Sequence, residues 1–484
     1  MKKDIFFYVS CLALAIVVIA SVPGYLMQEA DQVRFEEEVL LGDASMVEGV
    51  KITSHSHYGG NLFWDTEYVA GASPKAETKH VFSAKRKETY LRYSDHNRFY
   101  WYEEGGYRVL SLGSGLGGGW SVTSSGGLSI NSANIQRWEL EPAYEALAAE
   151  TAPGEKKSRQ ICLSDYLEYF PVNITLDDNW VGKKKCDIKA LDEAYAEFFK
   201  IPVPDGANYM IMVEKNEDGD MITLGGGDGG QSIYSWNMVC AASDTDLYFT
   251  FGRYSMSGAK LDTSQVPGGY GVYRQPYSIV GDELVFDTEK LSMVYSLEEE
   301  QYREGSVFLD VTEAGELLIL TDQEETTRLQ VVDLETMELL QKVELTRPEK
   351  CKGFDYVARI KEDFFVLGFH QGYFSLVSKE EGGGYAQQLL LDLEPDDPFY
   401  YHVYLNENDM EWNGEQLVFA CYSGNRCNLE LTVYDKTGKI YHGRYYSSLL
   451  TKQEYAERAL GEKDNWYYEC EPRTNVCLDV EWTK

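Results

Sequence analysis

Between Val307 and Leu345 the chain reads VFLDVTEAGELLILTDQEETTRLQVVDLETMELLQKVEL, four short β-rich runs separated by Glu/Gly, acidic/Thr and Glu-Thr turn signals. Four more runs follow from Phe354 to Leu391, as FDYVARI, FFVLGF, YFSLVS and AQQLLL. A third set extends from His402 to Arg444, with Asn413-Gly414 and Lys436-Thr437-Gly438 at hairpin positions. Such residues adopt the primed or bulged turns that suit the right-handed twist of paired strands. The phrases Val285-Phe286-Asp287, Val331-Val332-Asp333 and Val433-Tyr434-Asp435 each end a run at an Asp that opens a turn. Asp287 and Asp333 are 46 positions apart, and Asp333 and Asp435 are 102 apart, two units of 51 with Ser378 near the midpoint. A sheet of four short strands cannot bury both of its faces alone, so units repeated at this period must stack on one another.

Four strands every 45–55 residues is the pattern of propeller blades. The 307–444 stretch resembles a β-propeller of the loosely patterned, non-WD type, in which an Asp-Xaa-Xaa-Thr/Gly turn links the last two strands of a blade. It lacks the paired Gly-His and Trp-Asp signature, so the WD family is not implied. The resemblance implies an all-β fold, a β-propeller of seven or eight four-stranded blades occupying residues 46–484.

The amino-terminal half fits this reading less regularly. KITSHSHYGGNLFWDTEYVAG, KHVFSAKRKETYLRY and RFYWYEEGGYRVLSL read as strands with Gly or charged turns. From about 139 to 202 the period changes: EPAYEALAAE and ALDEAYAEFFKI place apolar residues three and four apart, which predicts two short helices in a small helical insertion between blades. NYMIMVEKNEDGDMITLGG returns to a hairpin with Asp218-Gly219 at its tip, and KQEYAERALG from Lys452 predicts a last short helix.

The chain begins Met1-Lys2-Lys3-Asp4 and then runs uncharged from Ile5 to Val22. At about 1.5 Å per residue a helix of that run reaches roughly 27 Å, close to the thickness of a hydrocarbon core. Residues 5–27 are therefore expected to form one transmembrane signal-anchor helix, longer than the apolar core of a cleaved signal peptide. Lys2 and Lys3 precede it while QEADQVRFEEE follows, so residues 1–4 are expected in the cytoplasm, 28–45 as an acidic linker and the bulk outside. The whole chain resembles uncharacterised membrane-anchored proteins of Gram-positive bacteria, a likeness that implies a single-pass cell-membrane location and no activity.

A net charge of −35 argues against nucleic acid, whose phosphates require a basic stripe, and disfavours docking on anionic lipid. With 36 Tyr, 20 Phe, 9 Trp and 43 Gly the composition is that of a folded, strand-rich protein. All nine cysteines but Cys11 lie beyond the anchor, in a compartment that permits disulfides. Cys421 with Cys427 and Cys470 with Cys477 bracket short loops, Cys162 with Cys186 a longer one, and these are the candidate disulfides. Free buried thiols are the alternative.

Few constellations suggest chemistry. Gly113-Ser114-Gly115-Leu116-Gly117-Gly118 has GxGxxG spacing, but Gly119-Trp120-Ser121-Val122-Thr123 follows where a dinucleotide site needs a helix. Asn216, Asp218 and Asp220 alternate as in a calcium loop, yet Met221 stands where that loop needs glycine. Asp396-Asp397 after Glu394 reads as a solvated loop, and His55 with His57 as one half of a zinc site without its other ligands. No GxSxG, HExxH, Walker loop or CxxC appears, so neither a cofactor nor a metal is expected and no catalytic residue is nominated. The sequence thus points to a non-catalytic module or scaffold of the cell envelope, binding a protein or glycan on one propeller rim. The alternative is an extracytoplasmic hydrolase whose carboxylates meet at the propeller funnel.

Overall fold

The computed structural model describes, short interior gaps apart, residues 34–58, 62–82, 99–103, 106–114, 140–176, 187–227, 234–255, 262–297, 307–400, 409–422, 428–448 and 474–482, with 10–17 and 21 near the amino terminus. The chain divides into two units, 1–94 with 388–484, and 95–387.

In the second unit the expected runs are strands. β16 (Val307–Val311), β17 (Glu316–Asp322), β18 (Thr327–Asp333) and β19 (Leu339–Leu345) form a four-stranded antiparallel meander in sequence order. β20 (Phe354–Lys361), β21 (Phe364–Phe369), β22 (Tyr373–Lys379) and β23 (Tyr385–Asp392) repeat it, the unit boundary falling inside β23. The apolar run of β17 has a simple cause. Leu317 and Ile319 enter one core with Phe249, Val272 and Tyr273, while Leu318 and Leu320 enter another with Phe365, Leu367 and Val377. A strand covered on both faces has no polar side, so alternation disappears.

The Asp turns are local hydrogen-bonded devices. Asp333 Oδ1 accepts the Thr336 and Glu335 N–H groups at 2.7 and 3.1 Å, and Asp435 Oδ1 accepts the Thr437 N–H at 2.7 Å. Gly438 then turns the chain at φ +119, a backbone region that favours glycine; the turn after Asp333 reaches it with Met337 at φ 58.

Both predicted helices form, α1 (Glu141–Glu150) and α2 (Ile188–Phe198), but the 139–202 segment is more than a helical insertion. β7 (Lys156–Cys162) pairs with β9 (Asn208–Lys215) from Lys156↔Glu214 to Cys162↔Asn208, and β10 (Met221–Gly227) completes that sheet. KKSRQIC hides its strand character because its first residues are exposed and charged, with Ile161 buried. The blade regularity also breaks in an eight-stranded sheet of β5 (Phe99–Glu103), β6 (Gly106–Ser114), β8 (Val172–Leu176), β11 (Tyr234–Ala242), β12 (Asp246–Ser255), β13 (Gly271–Val280), β14 (Glu283–Phe286) and β15 (Ser292–Ser296). Its halves meet between β6 and β11 at one register pair, Asn237↔Gly113.

In the first unit, β24 (Asp409–Trp412), β25 (Leu417–Tyr422), β26 (Asn428–Asp435) and β27 (Gly438–Ser448) form the third expected set. A fifth strand, β1 (Arg34–Leu41), lies on the outside of β27, from Arg34↔Ser448 to Leu41↔His442. The acidic 28–45 stretch is thus strand for eight of its residues, because Glu37 accepts from the Tyr441 hydroxyl at 3.2 Å and acids are tolerated on an edge strand. β2 (Val50–Tyr58), β3 (Leu62–Val69) and β4 (Lys75–Phe82) pair in turn, and β28 (Thr474–Trp482) from the carboxyl end adds beside β2. Val50, Ile52, Tyr68, Leu478 and Val480 pack against Val418, Leu431, Val433, Tyr441 and Tyr445, so these two sheets share one core.

Residues 10–17 are helical, with Leu12, Leu14, Ile16 and Val17 exposed. Among the described residues no helix is long and apolar enough to cross a membrane, and most of the expected 5–27 span lies outside them. The expected Lys452 helix and most of the Gly-rich loop after Gly113 also lie outside the described residues.

Candidate functional site

Four described carboxylates are buried, Asp310, Asp322, Asp397 and Glu430, and the last three each meet donors and a cation within their own unit. Asp322, at the end of β17, accepts the Thr327 hydroxyl on Oδ1 at 2.7 Å and the Phe354 N–H on Oδ2 at 3.0 Å. Arg347 lies 3.9 Å away, and both side chains are almost wholly buried. The carboxylate therefore ties one meander to the first residue of the next. Residue 353 must be glycine for this approach, since a Cβ there would collide with Asp322 Oδ2.

Asp397 and Glu430 lie in the other unit. Asp397 accepts the Tyr434 hydroxyl on Oδ1 at 2.5 Å and pairs through Oδ2 with Lys439 at 2.9 Å. It is 3% exposed, which corrects the expectation of a solvated loop: a charge with a cation and a phenol beside it can leave water. Burial and the neighbouring Asp397 hold the Tyr434 phenol well above its ordinary value.

Glu430 faces Arg444 across the β26–β27 ladder, and Thr432 faces His442. Arg444 Nε and Nη2 both lie 3.0 Å from Glu430 Oε1, and His442 Nε2 lies 2.6 Å from Oε2. Burial alone would raise the Glu430 pKa; the His442 hydrogen bond and the Arg444 and His442 charges outweigh it and leave the carboxyl below its ordinary value. Cys421 faces Glu430 on the opposite side, in β25. As a thiol it is held well above its ordinary value by burial and by the Glu430 and Asp397 charges, which suppresses the thiolate that nucleophilic chemistry needs.

Each of these three carboxylates holds a strand or turn in place. Asp322, Asp397 and Glu430 each meet donors and cations, whereas carboxylate catalysis needs two acids facing a shared substrate. Among the described residues, no three His, Cys, Asp or Glu are grouped to hold a metal ion. Asn216 Oδ1 accepts the Asp220 N–H at 2.8 Å, so the alternating acids near it form a hydrogen-bonded hairpin tip. His55 and His57 lie in β2, opposite Asp65 and Phe63 of β3. Of the candidate disulfides, Cys427, Cys186 and Cys470 lie outside the described residues, and Cys477 is placed only as part of β28.

Sequence reasoning missed the Glu430, His442 and Arg444 group. Counting outward from the Asp435–Gly438 turn sets Glu430 opposite Gly443; a register shift between Val433 and Tyr434 brings Arg444 there instead, and no signal in the sequence marks that bulge.

The sequence matches no family model and no curated protein. Among solved structures, the chain is similar to a protein from Lactobacillus plantarum at 13% identity, covering 56% of this chain and 68% of that one, with a TM-score of 0.24. It is similar to the Dos1 propeller at 8% identity, covering 48% and 54%, with a TM-score of 0.24. It is similar to apo AztD from Citrobacter koseri at 9% identity, covering 85% and 94%, with a TM-score of 0.23. Likenesses at this level assign neither family nor activity. The class the strands themselves define is a predominantly β protein of stacked antiparallel sheets.

Proposed function

We propose that this chain is a membrane-anchored, extracytoplasmic, β-propeller module that holds a protein or glycan of the cell envelope without transforming it. Residues 5–27 form the anchor, with the amino terminus in the cytoplasm. The uncharged run, the lysines before it and the acids after it support that placement. The bridges Cys421–Cys427, Cys470–Cys477 and Cys162–Cys186 belong to the same extracytoplasmic reading.

The observation that carries the binding role is the engagement of the buried acids. Asp322, Asp397 and Glu430 hold strands and turns together, which suits a rigid display surface better than a proton-transferring pair. Photo-crosslinking in intact membranes, followed by solubilisation and mass spectrometry, tests it. One specific protein or polymer is expected among the products. Recovery of none across several growth conditions, or turnover of an envelope polymer by the purified full chain, overturns the reading.

A further inference from the structure

β1 is the outermost strand in the order β1-β27-β26-β25-β24, so one edge pairs with β27 and the other has no strand beside it among the described residues. Such an edge is a row of N–H and C=O groups able to take another extended chain. Charged side chains usually blunt it. Here Val39, Leu40 and Leu41 are consecutive and 42–43% exposed. The ladder to β27 steps from Val39↔Gly443 to Leu41↔His442, leaving Leu40 without a partner in the register. Met46 is 39% exposed and adjoins the same turn, since a Cβ on Gly42 would meet its sulfur at 3.2 Å. The four exposed apolar side chains line this edge strand and the turn that follows it.

The strip itself carries charge of one sign, although Arg444 and His442 of β27 lie opposite Glu38 and Leu41. From Phe35 to Val50 the chain holds Glu36, Glu37, Glu38, Asp43 and Glu48 and no basic residue. Asp43 and Glu48 are exposed, and hydrogen bonds from Ser45 keep the Asp43 carboxyl below its ordinary value. We infer that this strip docks an extended, basic segment of a partner protein. That segment adds to the outer edge of β1, seats aliphatic side chains on Val39, Leu40, Leu41 and Met46, and sets Lys or Arg against Asp43 and Glu48. A neutral glycan offers no cations for the acids, an anionic bilayer repels them, and a second copy brings the same acids. The inference rests on the binding-module reading and narrows its partner to a basic peptide.

The test uses the full chain in zwitterionic nanodiscs and two labelled peptides, one alternating lysine with valine and leucine, the other carrying glutamate for lysine. Leu40→Lys and Met46→Lys are compared with Leu340→Lys, which adds the same charge at an exposed leucine of β19. The lysine peptide is expected to bind, to lose about tenfold or more in affinity with Leu40→Lys and Met46→Lys, and to change less than about twofold with Leu340→Lys. Amide exchange across 34–41 is expected to slow in the complex. Equal weakening by all three variants, equal binding of the glutamate peptide, or protection confined to other strands overturns it. If the strip fails while crosslinking in membranes still captures a specific partner, the binding-module reading stands and only its surface is wrong.

Discussion

The side-chain amide of Gln341 holds both backbone groups of Tyr385: Oε1 accepts the Tyr385 N–H at 2.7 Å and Nε2 donates to the Tyr385 carbonyl at 2.9 Å. Gln387 returns the contact, accepting the Thr346 N–H at 2.8 Å and donating to the Thr346 carbonyl at 3.0 Å. The outer strands of two successive meanders are thus linked by glutamines that imitate a β-ladder. Gln341→Ala is expected to cost about 1–3 kcal/mol, because both Tyr385 groups lose their partner. Gln341→Glu, which keeps the acceptor but sets a carboxylate oxygen against the Tyr385 carbonyl, is expected to cost at least as much as Gln341→Ala. Urea midpoints of the variants check the order, and an unchanged midpoint for Gln341→Ala contradicts it.

Asp322 gives a larger effect. Asp322→Ala removes the acceptor of the Thr327 hydroxyl and the Phe354 N–H beside the buried Arg347, a loss of about 3–5 kcal/mol for a broken buried charge pair. Gly353→Ala should also destabilise, through the collision of its Cβ with the carboxylate. Thermal melting of both variants measures this; a Gly353→Ala melt matching the parent shows the approach of the two residues to be looser than described.

The Glu430 group predicts acid sensitivity of a definite sign. Its folded pKa is depressed below that of an ordinary glutamate, so it contributes stability that is present above the unfolded value and lost as pH falls through the folded one. Glu430→Gln removes the charge at every pH. The variant should be less stable than the parent near neutrality, and the gap should close as pH drops below about 4.5 and the parent carboxyl protonates. Denaturation midpoints from pH 7 to pH 3 decide it; a constant gap would show that Glu430 acts through shape alone.

Cys421 gives a chemical test of the bridges. A thiol this buried and this weakly acidic is expected to resist iodoacetamide in the native chain, and to react after unfolding. If Cys427 is bridged to it, alkylation after unfolding requires reductant first. Peptide mapping separates the two: labelling of Cys421 in urea without reductant excludes the bridge.

The three strand sets between 307 and 444 were legible because their signals are local. Asp333 and Asp435 bind amides two or three residues on, and the aliphatic runs of β17 and β21 reflect cover on both faces. β1 and β7 were not legible, since RFEEEVLL and KKSRQIC are polar edge strands whose partners Ser448 and Glu214 lie far along the chain. The buried acids were hidden for a related reason. Asp397 and Glu430 have the composition of solvated loop and strand residues, and only the approach of Lys439, His442 and Arg444 makes their burial tolerable.

The two chain ends are woven into one unit, with Phe35 beside Ser447 and Ile52 beside Val480. This orders assembly in time. Residues 95–387 are contiguous and able to close as soon as they are made, but the sheet of β2 waits for β28, which is made after them. Until residues 474–482 arrive, Val50 and Ile52 lack a ladder partner on that side, and a nascent chain stalled or clipped shortly before them is a substrate for chaperones and proteases.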